Sequence, residues 1–400
     1  MAQRVLTDWI DAYLRYTENQ EPMQSYHTFC AVSAIAGALE RKVYMRWGHQ
    51  DIFPNFYISL VGPAGWARKG TAIDLIRPII EEAEIRTMSG AITMEKLSQR
   101  LKGAIENYTD PSDGMIKFQC AVTFISPELQ VFLKEKQVDL LARLTDLYDC
   151  PGTWTYDTKN QGTDYVQGPF FNILSATAPD WIRSMLPDPA IGGGFTRRFI
   201  WVVEDNKRTV PEPSIDLDLQ RKLINDLQAI SLLAGQAQFT PEAKEIYLDW
   251  YIKQDKEYRE GNLAIADPRF AGYCATRSVL LRKLSIVCSV SESSNLWITP
   301  KHFYRAKEML EHVEKKMPGA FRAMGQAKYA DAVEQIFAFL LRKQKSPKAE
   351  ILRIFYRDID EATYDIVVNT LLRMEAIEVR IEEGKEYLIA KEGAEKIFNM

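Results

Sequence analysis

Cysteine and histidine are scarce and scattered. Cys30, Cys120, Cys150, Cys274 and Cys288 form no Cys-x-x-Cys pair, and His27, His49, His302 and His312 are equally dispersed. This spacing argues against a disulfide framework or a zinc site and matches the reduced thiols of a cytosolic protein. A surplus of positive charge is absent too: 50 Lys and Arg against 54 Asp and Glu leave a formal net charge of −4. Binding of nucleic acid through overall basicity is therefore excluded, and any such contact must come from a local basic channel. No apolar run is long enough to span a membrane, and residues 1–8 carry no apolar signal core. The expectation is a cytoplasmic protein with no membrane partner.

What is present is an ordinary globular composition, 46% hydrophobic and 26% charged, in a chain of 400 residues. That is enough for two or three domains with real cores. The most informative stretch runs from Phe53 to Pro78. Phe53-Pro54-Asn55-Phe56-Tyr57-Ile58-Ser59-Leu60-Val61 reads as a strand, Gly62-Pro63-Ala64-Gly65-Trp66-Ala67-Arg68-Lys69-Gly70-Thr71 as a glycine-containing turn, and Ala72-Ile73-Asp74-Leu75-Ile76-Arg77 as an amphipathic helix. Such a turn aims backbone N–H groups and the positive end of a helix dipole at one point, which suits a phosphate. Gly65 and Gly70 have the spacing of a phosphate loop, with Gly62 opening the turn, but Lys69 precedes the second glycine and only Thr71 follows it. In this variant Lys69 approaches the β- and γ-phosphates of ATP, Thr71 offers its hydroxyl to Mg²⁺, and Arg68 adds a second cation. The competing reading is a turn that uses Gly and Pro only for geometry.

Along the chain, Thr7 or Asp8 can cap a first helix carrying Trp9, Ile10, Tyr13 and Leu14, and a second helix carries Phe29, Val32, Ala36 and Leu39. Residues 79–108 read as helix. The strand 121–128 ends in Glu128, placed to polarise an attacking water; Ser126 and Pro127 occupy the place where a metal-orienting Asp is expected. Asp146 and Asp149 are candidate substitutes. Residues 150–169 read as a hairpin whose polar tip offers Lys159 as a DNA contact. The strand 170–177 ends in Ser175 and Thr177, either of which can place a polar group beside a γ-phosphate. Gly192-Gly193-Gly194-Phe195-Thr196-Arg197-Arg198-Phe199 is a glycine run that hands on paired arginines.

Taken together, Pro54-Asn55-Phe56-Tyr57 leading into Val61-Gly62-Pro63, the Arg68-Lys69-Gly70-Thr71-Ala72 loop, the strand ending at Glu128 and Gly194-Phe195-Thr196-Arg197-Arg198-Phe199 resemble the DUF3987-type P-loop proteins of phages and prophages. The likeness covers roughly residues 5–315, and that family is regarded as helicase-like ATPases of mobile-element replication. It implies that Lys69 and Thr71 bind nucleotide and Mg²⁺, Glu128 activates water, Thr177 assists, and Arg197 or Arg198 acts on a neighbouring subunit's nucleotide. The implied place of work is the cytoplasm of a bacterial host. Beyond Pro211-Glu212-Pro213 the chain reads as helical, and residues 277–286 resemble the lid helices of ring ATPases, with Arg277 as a γ-phosphate contact. Residues 327–400 read as three helices and a hairpin, a winged helix. Its third helix has little positive charge; its basic residues, Arg342, Lys343, Lys345 and Lys348, gather elsewhere as candidate DNA contacts.

The expected architecture is an α/β P-loop NTPase core of RecA/AAA+ type (51–210) with a helical N-terminal cap (1–50), an α-helical lid (211–326) and a C-terminal winged helix (327–400). The expected function is an ATP-driven DNA motor, a ring-forming replicative helicase acting on single-stranded or forked DNA, with a host replication protein as a further partner. The alternatives are a nucleotide-switched initiator or helicase loader, and a DNA-binding structural module with a decayed P-loop.

Overall fold

The computed structural model describes residues 4–133, 138–158, 162–186, 193–321, 330–356, 359–382, 384–391 and 393–394. The chain divides into two compact units, Met1–Phe321 and Arg322–Met400.

The first unit is mixed α/β around a mostly parallel sheet. Its strands are β1 (Tyr57–Val61), β2 (Thr87–Met88), β3 (Ile105–Thr109), β4 (Ile116–Ser126), β5 (Pro169–Thr177) and β6 (Phe199–Val203). The order is β6-β1-β5-β4-β2, all parallel, and β3 runs antiparallel along the same outer edge of β4 that β2 uses further on. Every residue of β1, β5 and β6 is buried. A parallel sheet covered on both faces requires such unbroken apolar strands.

Helix α1 (Trp9–Tyr16) begins at Asp8, whose carboxylate accepts the Asp11 N–H, and α2 (Gln24–Leu39) lies directly on the sheet. Small residues let α2 approach closely: a Cβ on Gly37 would stand 2.6 Å from Thr123 Oγ1 in β4. Asn172 of β5 joins the layers, accepting the Phe56 N–H at 2.9 Å and donating to Ser33 O and Oγ of α2 at 3.1 and 3.0 Å. Helix α3 (Lys69–Glu82) packs beside α2 and continues through Pro78. The opposite face is covered by α5 (Leu129–Leu133) and α6 (Val138–Tyr148), which follow α4 (Met94–Lys102). Phe132 of α5 stacks on Phe124 with centroids 4.3 Å apart, and the Tyr57 hydroxyl donates to Leu144 O of α6 at 2.7 Å.

The helix expected across 79–108 is instead the end of α3, β2, α4 and β3. Thr93 caps α4 by accepting the Lys96 N–H, and Gly103 ends it, so Leu97 and Leu101 are helical while Ile105 opens a strand. The hairpin expected at 150–169 forms between Thr153–Thr158 and Gly162–Gln167; Lys159 lies outside the described residues.

After α7 (Pro179–Met185), helices α8 (Leu217–Ser231), α9 (Pro241–Arg259), α10 (Ala271–Glu292) and α11 (Pro300–Glu314) return to the N-terminal helices. Trp9 Nε1 donates to Leu223 O in α8 at 2.9 Å, and the Ser291 hydroxyl of α10 donates to Asp8 at 2.7 Å. Residues 1–50 and 211–321 therefore belong to the same compact unit as the sheet.

The second unit contains α12 (Ala330–Lys343), α13 (Lys348–Ile354) and α14 (Glu361–Arg373) with an antiparallel hairpin, Ile377–Glu382 and Lys385–Ala390, joined on its edge by Lys345–Pro347. Its core is built from Phe337, Leu340, Ile351, Tyr364, Val367, Leu371 and Leu388.

Asn172→Ala leaves the Phe56 N–H buried without its acceptor, so it lowers unfolding free energy by about 2–4 kcal/mol, measurable by urea denaturation.

Candidate functional site

Parallel pairing carries the C-terminal ends of β1, β4, β5 and β6 to one edge of the sheet, where α/β folds place their ligand sites. The ladder runs one residue past β1: Gly62 N–H donates to Thr177 O at 3.3 Å, and Glu204 N–H donates to Val61 O at 3.0 Å. Gly62 is thereby pinned between two strands. A Cβ there would lie 2.3 Å from Glu204 O, 2.6 Å from the Tyr26 hydroxyl and 2.8 Å from Ala67 Cβ, so no other residue fits. Gly65 follows in the left-handed region at φ +68, and Arg68 enters α3 at φ +55.

Arg68 gives α3 no side-chain cap. The first-turn N–H groups of this 14-residue helix and its dipole are therefore open to an anion. The Lys69 ammonium folds back over the loop, donating to Gly62 O at 2.6 Å and Pro63 O at 3.0 Å. Partial burial lowers its pKa. These carbonyls are weak partners for a cation, and an anionic ligand would compete for it.

A cavity of about 410 Å³ opens here and brings together Gly65, Arg68, Lys69, Gly70, Thr71, Glu128 and Thr177. Arg68 is shared, because its Nε lies 2.7 Å from Glu21 Oε2, and Glu21 also holds Lys207. Glu128 is exposed at the end of β4. Ser126 fixes the turn that presents it: its hydroxyl donates to Glu128 O at 3.1 Å and accepts the Glu128 N–H at 3.3 Å. Of the two polar residues on β5, Thr177 lines the cavity, whereas the Ser175 hydroxyl is held by Ile58 O at 3.2 Å inside the sheet.

Three lining residues escaped the sequence reading: Asp74, Gln130 and Trp181. Asp74 had a legible signal, since it follows Thr71 by three positions on α3 and so shares its face. It supplies the cavity with a second carboxylate besides Glu128. Among the described residues no cluster of three or more His, Cys, Asp or Glu side chains stands ready to hold a metal alone. The lining groups of the kind that hold Mg²⁺ are the Thr71 hydroxyl and the Asp74 and Glu128 carboxylates.

Other expected residues are elsewhere. Arg197 and Arg198 stand at the start of β6, on the opposite edge of the sheet from the cavity. Arg198 grips Asp149 with Nη2 at 2.5 Å and Nε at 3.3 Å. Asp149 is thus a partner of Arg198, and neither it nor Asp146 lines the cavity, so neither replaces the missing acid of β4. Arg277 does not line the cavity. It is buried on α10 with Nε 2.6 Å and Nη2 2.7 Å from the Glu314 carboxylate, and reaches Glu311 and Gln254 as well. In the second unit Lys343 pairs with Glu350 at 2.5 Å, Lys345 with Glu382 at 2.5 Å and Lys348 with Glu361 at 3.2 Å, which neutralises the expected basic patch. Arg342 donates to Ala338 O at 3.4 Å.

No model of a known protein family matches this chain, and no curated protein matches it.

Two substitutions check these assignments. Gly62→Ala forces backbone apart and costs about 2 kcal/mol or more, seen as a lowered melting temperature. Arg277→Gln strands the buried Glu314 charge and costs about 3 kcal/mol, yet leaves nucleotide affinity of the folded protein unchanged in a titration.

Proposed function

We propose that this chain is an ATP-dependent DNA motor whose nucleotide lies in the cavity at the C-terminal edge of the sheet. The observation that carries the reading is the convergence there of the uncapped α3 N-terminus, Lys69, Thr71, Glu128 and Thr177. In this reading the Lys69 ammonium leaves the carbonyls of Gly62 and Pro63 for the β- and γ-phosphates. First-turn N–H groups of α3 hold phosphate oxygens, and the Thr71 hydroxyl, supported by Asp74, takes part in holding Mg²⁺. The metal supplies neutralisation of phosphate charge. Glu128 orients and deprotonates the attacking water, and Thr177 offers a hydroxyl between loop and acid, as the RecA/AAA+ resemblance implies.

Neither arginine of the Arg197-Arg198 pair reaches the chain's own cavity. Either of these two acting on a nucleotide would come from a second copy, and the homo-oligomeric ring is proposed on that ground. DNA as the partner, and replication of a phage or mobile element as the setting, rest on the DUF3987-type resemblance. The second unit's order of helices and hairpin supports a winged helix. Glu361 and Asp365 on α14, with Arg373 its one cation, favour protein contact over duplex reading for that helix.

Ser126, standing where a metal-orienting acid is expected, favours a second reading, a nucleotide-switched initiator or loader that does not translocate.

ATP turnover with and without single-stranded DNA separates the two. The motor reading expects DNA-stimulated hydrolysis that falls about 100-fold or more in Lys69→Ala and Glu128→Gln, with nucleotide binding kept in Glu128→Gln. Binding without turnover moves the protein to the switch; no binding at all overturns both.

In a parallel check, Gly70→Ala folds at least as well as the parent, because its Cβ meets nothing within 4 Å and Ala favours helix. Its methyl stands in the cavity and weakens ATP binding.

A further inference from the structure

The edge of the sheet opposite the nucleotide cavity holds a larger one, about 540 Å³, where β1 and β6 begin. Arg41, Asn55, Tyr148, Arg197, Arg198 and Lys283 line it. Its two lining carboxylates are both taken: Asp149 by Arg198, and Asp51 by Arg46, whose Nε lies 3.1 Å from it. The other three cations have no carboxylate within ion-pair distance among the described residues.

Lys283 is the strongest case. It is 3% exposed on α10, donates to Asn55 O at 3.0 Å and Oδ1 at 2.7 Å, and lies 3.8 Å from the Tyr148 ring centroid. These partners are neutral. Burial pushes its pKa down to about 8. Arg41 is similar: its Nη1 donates to Cys150 O at 2.6 Å and Pro169 O at 3.3 Å, and its guanidinium carbon lies 4.1 Å from the Phe53 ring centroid. Arg197 keeps a buried Nε with no hydrogen-bond partner.

The comparison with Arg277 is instructive. There the fold supplies a buried cation with a carboxylate, Glu314, and on the same helix it seats the buried Arg282 on the Trp47 and Tyr247 rings, 3.8 and 4.6 Å from their centroids. A buried charge without a counter-ion is destabilising, and the buried Lys283 together with the half-buried Arg41 and Arg197 leaves an excess of positive charge facing the interior of one cavity. The compensating partner is an anion from outside. A phosphate group can accept from two guanidinium forks and an ammonium arriving from different directions, and the cavity volume falls in the range that holds small ligands.

We propose that this cavity is a second anion site, taking a phosphate-bearing ligand of nucleotide size on Lys283, Arg41 and Arg197. The ligand is either a free nucleoside polyphosphate or the 5′-phosphate end of a nucleic acid. This inference does not rest on the nucleotide reading of the Gly62–Thr71 loop.

The test is calorimetric titration of the full chain with pyrophosphate at low salt. The Lys69→Ala protein should still bind it, and Lys283→Met or Arg197→Gln on that background should weaken binding by about tenfold or more. Melting curves verify that each variant is folded, and Arg197→Gln, at the partly exposed rim, serves if Lys283→Met does not fold. Competition identifies the source. Displacement by ATP but not by 5′-phosphorylated hexathymidine assigns a nucleotide; displacement by the phosphorylated oligonucleotide but not by its 5′-hydroxyl form assigns a strand end. Pyrophosphate binding removed by Lys283→Met and untouched by Lys69→Ala would uphold this site while removing the nucleotide reading. No binding by Lys69→Ala protein, or equal binding in the folded Lys283→Met and Arg197→Gln variants, would overturn the inference.

Discussion

Strand β1 is paired in parallel on both sides, with β5 and β6, and the rest of the first unit follows from that pairing. Three strands pointing one way put their exits on a single edge, so that Gly62, Thr177 and Glu204 are neighbours although far apart in sequence. The backbone ladder does not stop at Val61. It holds Gly62 on both sides and leaves the loop no side chain at its first position. The geometry of α3 is a consequence: the helix starts from a clamped point, its uncapped N–H groups face the cavity, and its dipole adds to them. Burial of every residue in β1, β5 and β6 between α2 and α3 on one side and α5 and α6 on the other makes that clamp rigid.

The two ends of the sheet treat positive charge differently. At the exit edge Lys69 is held by two carbonyls and Arg68 by Glu21, an arrangement that can change when an anion arrives. At the entry edge Arg41 and Lys283 are deeper and fixed by neutral oxygens. Several cations elsewhere have acids: Arg277 has Glu314, Arg305 has Asp8 and Asp11, and Lys316 has Glu204. A cation's partner, more than its position in the sequence, separates a structural charge from one available to a ligand.

That distinction also explains what could be read from the sequence. The run 57–82 was legible because a fully buried parallel strand is continuously apolar and a glycine-rich turn followed by an amphipathic segment has one common outcome. Thr177 and Glu128 were legible as polar residues at the ends of such strands. The segment 79–108 was not: leucines at helical spacing continued into Ile105, where Gly103 had already ended the helix. The partners of Arg277 were not legible either. It sits on α10, whose burial reaches nearly all round, so a basic residue there is not on a solvated face but needs partners, and one sequence does not tell which partners. The pairing of Lys343, Lys345 and Lys348 was hidden likewise, since Glu350, Glu382 and Glu361 meet them only once the unit is folded.

The central claim is that a nucleotide settles on the N-terminus of α3 at the exit edge. Hydrogen exchange of the backbone amides, followed with and without ATP and Mg²⁺, tests it most directly, because it reads the N–H groups that would do the binding. The account predicts that exchange at Lys69, Gly70 and Thr71 slows about tenfold or more when nucleotide is added, with Glu128 and Thr177 following. Unchanged exchange at Lys69–Thr71 under nucleotide concentrations that saturate the protein would contradict it.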